Sequence, residues 1–136
     1  MAFKYNPAQR RQYLTMLDRI GEHWLAVFGD DQEFYSTAYW DLFTNIWRTE
    51  EPVRKTDALK FMRAIRSAHT AGKYLEVAIK RGIVVETANP KDARSRLVQL
   101  APEMRARLDK FFDSAVDEMR EARKRLGEKG PVPEDS

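Results

Sequence analysis

A chain of 136 residues with no cysteine and two histidines has the length of one domain. It cannot build a disulfide framework, a thiolate nucleophile or a thiol sensor. Its net charge of +3 hides a partition: residues 52–100 carry 11 Lys/Arg against 4 Asp/Glu, while 1–51 carry 5 against 8 and 101–136 carry 8 against 9. A net +7 in the middle third is the footprint of a polyanion-binding module in a near-neutral scaffold. Chance clustering of solvated charges is the plainer alternative. No apolar run approaches the roughly 20 residues that span a bilayer, and the first seven residues hold no signal-peptide core. The expectation is a cytoplasmic protein with no membrane segment.

Asn6-Pro7 is a helix start, a capping side chain followed by a proline at the first helical position. Tyr13, Leu14, Leu17, Ile20, Trp24, Leu25 and Phe28 then recur at helical spacing, and Gly29 ends the run. Asp30-Asp31 can cap a second helix whose apolar face runs from Phe34 and Tyr35 to Ile46 and Trp47, before residues 48–52 break it. All three tryptophans and four of the five tyrosines fall in residues 1–47. Most of these rings are expected in a core, and the surplus suits a subunit interface or a pocket wall. A third helix is expected from Thr56-Asp57, burying Leu59, Met62 and Ile65. Ser67 is the N-cap of a fourth, with Ala71, Tyr74, Leu75, Ala78 and Ile79 inward and His69, Thr70, Lys73, Glu76, Val77 and Lys80 on or beside the exposed face. Gly72 inside that helix costs about 1 kcal/mol relative to alanine. Close approach of its backbone to DNA or to the third helix would explain it.

Arg81-Gly82 stops the helix, and a β-branched run, residues 83–87, follows. The turn Asn89-Pro90-Lys91-Asp92, a basic step through Arg94 and Arg96, and a second apolar run, residues 97–100, complete a hairpin. Ala101-Pro102 starts a long last helix carrying Met104, Leu108, Phe111, Phe112, Ala115, Met119, Ala122 and Leu126. Residues 127–136, rich in Gly, Pro and charge, read as a disordered tail. The fold class is mainly α with a small β-hairpin wing: a winged helix-turn-helix over 52–100, flanked by dimerisation helices at 1–51 and 101–126.

The order of elements resembles the MarR family of bacterial transcription regulators. Residues 67–76 stand where that family places its recognition helix. Lys80-Arg81-Gly82-Ile83-Val84 matches its basic-pair, glycine, strand exit, and Asp92 with Arg94 matches the Asp-x-Arg of its wing. The chain departs at Ala78, where leucine is common, and at Ala101, where a capping threonine is common, which marks a divergent member. The resemblance implies that Arg94 reaches the minor groove or its phosphates and that Asp92 holds a neighbouring arginine. The physics agrees for both residues. Lys91 and Arg96 are candidates for phosphate contacts, and His69, Thr70 and Lys73 for contacts from the recognition helix. For each, a solvated surface role is the alternative.

The function expected is a homodimeric, sequence-specific regulator of transcription on double-stranded DNA. The alternative is a winged-helix module that binds protein through its aromatic N-terminal helices. Trp24, Tyr39 and Trp47 are the candidate lining of a small-molecule effector pocket, with plain core packing as the competing account. No cofactor is implied. No enzyme is expected, since no metal-ligand spacing, phosphate-cradling glycine loop or Ser-His-Asp set is present.

Overall fold

The computed structural model describes residues 3–134. The elements are α1 (Pro7–Val27), a 3-10 turn (Gln32–Phe34), α2 (Thr37–Arg48), β1 (Val53–Arg54), α3 (Lys55–Leu59), α4 (Ala68–Lys80), β2 (Val84–Ala88), β3 (Arg96–Leu100) and α5 (Pro102–Glu128). They fall into two compact units, one of Asp31–Leu108 and the other of the residues up to Asp30 with those from Asp109 on. The first unit is wider than residues 52–100. It takes in α2, which the sequence reading grouped with α1, and the first turns of α5.

Within Asp31–Leu108 the three strands form one antiparallel sheet in the order β1-β3-β2. Register runs from Val84↔Leu100 to Ala88↔Arg96 on one side of β3, and Val53↔Val98 with Arg54↔Leu97 on the other. The sequence predicts a two-stranded hairpin. The third strand, β1, is two residues between Pro52 and a helix start, too short for any alternation to show. Helix, turn, helix and antiparallel wing in this order make the unit a winged helix-turn-helix.

Its core joins Leu42, Phe43 and Ile46 of α2 to Leu75 and Ala78 of α4 and Val84, Val98 and Leu100 of the sheet. Each large side chain removed from water there contributes about 1.5–3 kcal/mol. Tyr39 stacks on Phe43 at 5.3 Å, and its buried hydroxyl donates to the Tyr74 carbonyl at 3.0 Å. Burial pushes that hydroxyl up to a pKa of about 12. Arg105 closes the end of α2 by donating to the Trp47 and Thr49 carbonyls at 3.2 and 2.9 Å.

Ser67 caps α4 as expected, its hydroxyl accepting from the Thr70 N–H at 3.3 Å. Gly82 takes φ +76°, the left-handed conformation that favours glycine at a helix exit. Two boundaries differ from expectation. Asp31 caps the 3-10 turn, and Ser36 caps α2 by accepting from the Tyr39 N–H at 3.2 Å. Tyr35 is consequently exposed and off the helix. The third helix stops at Leu59, and the chain continues through i→i+3 bonds, Phe61 N–H to Ala58 and Ile65 N–H to Met62. The apolar positions 59, 62 and 65 are spaced by three throughout, the period of 3-10 turns rather than of an α-helix.

In the other unit α1 lies antiparallel to the later part of α5. Gln9 donates to the Leu126 carbonyl at 3.3 Å, and the Trp24 and Phe111 rings meet at 5.2 Å. Asn6 and Gln9 form a reciprocal capping box at the start of α1. The expected disordered tail is in part held: α5 runs to Glu128, Asn6 donates to the Lys129 carbonyl and Gln9 to that of Pro131, both at 3.0 Å. Residues 135–136 lie outside the described residues. Among those described, no helix is long and apolar enough to cross a membrane.

The buried face of α1 follows its apolar spacing only in the second half of the helix, where Trp24 is buried and Ile20, Leu25 and Phe28 are half-buried. Gln9, Gln12, Trp24 and Val27 are buried, while Tyr13 and Leu14 are 57% and 58% exposed and Leu17 is 42% exposed. On α5, Val116 and Met119 are also exposed. Tyr13 and Leu14, with Tyr5 and Leu126, line an apolar groove of about 480 Å³ in this unit.

Candidate nucleic-acid interface

Helix α4 buries Ala71, Leu75 and Ala78 and so turns His69, Lys73 and Glu76 outward. These three line a shallow depression on its exposed face together with Gly72. Gly72 also lines a second groove, of about 300 Å³, whose other walls are Lys55, Thr56 and Leu59 of α3 and Arg94 and Arg96 leading into β3. The two grooves meet at Gly72. The structure thereby brings His69, Lys73, Arg94 and Arg96 around one stretch of helix backbone. Thr70 is exposed but lines neither groove, and Lys91 and Asp92 stand farther out, in the wing turn.

The wing turn is built by its own polar side chains. Asn89 accepts from the Lys91 N–H at 3.0 Å and donates to the Ser95 hydroxyl at 2.7 Å. Asp92 accepts from the Arg94 backbone N–H at 3.0 Å and from its Nε at 3.4 Å. The arginine that Asp92 orients is therefore Arg94 itself, whose side chain is 93% exposed. A single carboxylate shapes the turn and aims the guanidinium.

Three residues that sequence reasoning gave no role tie the wing to α4. Lys55 Nζ lies 2.6 Å from Glu76 Oε1 on α4 and 3.0 Å from Glu86 Oε1 on β2, and Arg96 Nε lies 3.6 Å from the same Glu86 oxygen. No spacing in the sequence reveals a clamp made by side chains 21 and 31 residues apart. The hydrogen bond to Glu76 holds the Lys55 amine above its ordinary range, and Lys55 holds the Glu86 carboxyl below the usual 4.5. A depressed carboxylate stabilises the fold above its unfolded pKa, and that contribution is lost as pH falls through the folded value. The raised amine contributes fully below 10.5 and loses that contribution as pH climbs through its folded pKa. Glu86→Gln is accordingly expected to lower the thermal midpoint at neutral pH and to flatten its fall in acid. Thermal melts of both proteins from neutral pH to well below 4.5 check this.

Arg81, part of the basic exit from α4, is engaged elsewhere. It pairs with Asp31 and stands 5.3 Å over the Phe34 ring, and its guanidinium keeps the Asp31 carboxyl below the usual range.

The candidate effector residues are divided between the two units. Trp24 belongs to the unit of α1 and packs edge-on against Phe28 and Phe111. Tyr39 is fully buried in the winged-helix unit, and Trp47, in the same unit, lies 6.0 Å beneath Arg105. None of the three lines the grooves described above. Core packing accounts for Trp24 and Tyr39. Among the described residues no cluster of three His, Cys, Asp or Glu could hold a metal ion.

The fold defines a winged helix-turn-helix domain with exposed basic residues on α4 and on the wing. No protein-family model matches the chain, and no curated protein matches it. Among solved structures it is similar to a probable transcriptional regulator from Pseudomonas aeruginosa, with 20% identity, 84% of this chain and 78% of that one covered, and a TM-score of 0.48. It is also similar to BpsR of Bordetella bronchiseptica, whose DNA binding is regulated by 6-hydroxynicotinic acid, with 21% identity, 82% and 83% covered, and a TM-score of 0.46. The class of the domain rests on its own topology rather than on these likenesses.

Proposed function

We propose that this chain is a divergent MarR-like regulator that binds double-stranded DNA as a homodimer. The observation that carries the reading is the convergence of His69, Lys73, Arg94 and Arg96 on the exposed side of α4 and the wing base. In this reading α4 enters a major groove, and Arg94, aimed by Asp92, reaches the adjacent minor groove or its phosphates. The exposed apolar residues of α1 and α5 are the subunit interface, which accounts for bulky groups that the protomer leaves in water. Two recognition helices in such a dimer read half-sites about 34–36 Å apart. The two structural neighbours named above, described as a regulator and as a DNA-binding protein, are consistent with the reading.

Phosphate contacts release counterions, so the affinity for duplex should fall linearly on a log–log plot against salt. Fluorescence anisotropy of a labelled duplex across a salt series tests this. Binding that ignores salt would remove the DNA reading. In that case the same apolar surface would favour the alternative, a module that docks on another protein.

A further inference from the structure

Gly72 is placed in a helix interior where glycine is costly, and nothing in the protein requires it. A Cβ built there meets no atom within 4 Å, so neither α3 nor the wing comes close enough to demand its absence. The open space lies where the two grooves of the candidate interface meet. The cations beside it are oriented in a particular way. Arg94 is tied to Asp92, and Arg96 to Glu86, through Nε, which leaves the terminal guanidinium nitrogens to face an incoming group. Lys55 is held between Glu76 and Glu86 at the third side.

We infer that the notch at Gly72 is the seat of one DNA backbone phosphate and its sugar, which rest against the α4 backbone while Arg94 and Arg96 fork the phosphate oxygens. The inference rests on the DNA-binding reading and adds to it a specific contact and two positioning residues, Lys55 and Glu86. Glycine serves here by admitting the strand to van der Waals distance of the helix. A methyl group at this point would hold the strand off and lengthen both arginine contacts.

Gly72→Ala tests this with two readouts that move in opposite directions. Its thermal midpoint should rise by about 2–6 °C, because alanine is the better helix former and the space is empty. Its affinity for a generic duplex of about two helical turns should fall about tenfold or more, with the salt slope smaller by about one phosphate contact. Gly72→Ala binding with wild-type affinity and slope would overturn the seat and leave the DNA reading standing. A wild-type protein with no salt-dependent duplex binding would overturn the DNA reading and the seat with it.

Discussion

Replacing Arg94 by alanine is expected to weaken duplex binding by about 1–3 kcal/mol per wing, roughly 5- to 150-fold in affinity for each wing, without lowering the thermal midpoint. Two features separate these outcomes. The side chain is 93% exposed and its one ion pair is with Asp92 in the same solvent-facing turn, so folding loses almost nothing. The guanidinium is nonetheless oriented, because Asp92 accepts from both the Arg94 backbone N–H and Nε. A planar donor fixed in advance binds a phosphate or narrow-groove edge without first losing rotamer freedom. Asp92→Ala should therefore weaken binding less than Arg94→Ala, since the charge remains while its aim is lost. Anisotropy titrations at one stated salt concentration, paired with melts, measure both variants. Equal loss of stability and binding would mark the turn as structural and nothing more.

A charge placed on the exposed face of α1 should act on assembly. Leu14→Glu removes an apolar side chain that is 58% exposed in the protomer and sets a carboxylate beside Tyr13 and Leu17. The protomer core lies on the other face, at Gln9, Trp24 and Val27, so its helical content should be unchanged. In a dimer interface the carboxylate would be desolvated without a partner, which costs several kcal/mol. The protein should run at one-subunit mass in light scattering. Its affinity for a duplex with two half-sites should fall about a hundred-fold or more, because the second half-site loses its effective concentration. Unchanged wild-type mass, with one subunit throughout, would instead assign this face to a different partner.

The parts of this fold legible in the sequence are those fixed by neighbours along the chain. Ser67 caps α4, Gly82 ends it, Asn6 opens α1 and Pro102 opens α5, each through a local bond or a local dihedral. Spacing of three and four found the inward residues of α4 for the same reason. What was not legible depends on partners distant in sequence. β1 exists because β3 offers it a register. The Lys55–Glu86 clamp joins α3 to β2, and no pattern within either segment announces it. On α1 the periodicity marks a real apolar stripe that reaches the core at Trp24, but its first half, Tyr13, Leu14 and Leu17, faces outward and the buried positions there are Gln9 and Gln12. Amphipathic spacing says that a face will be covered, not by what. For the site, residue types pointed to Lys73, Arg94 and Arg96, and only the fold shows that they share Gly72 as a common edge.

Selection of bound duplexes from a random pool, with the mass of the complex measured in the same buffer, tests the grip on DNA most directly. The expected result is a two-fold symmetric consensus with half-sites one helical turn apart, bound by two subunits, and bound more weakly by Arg94→Ala. A pool that enriches nothing, or that binds equally well without the Arg94 side chain, would contradict it.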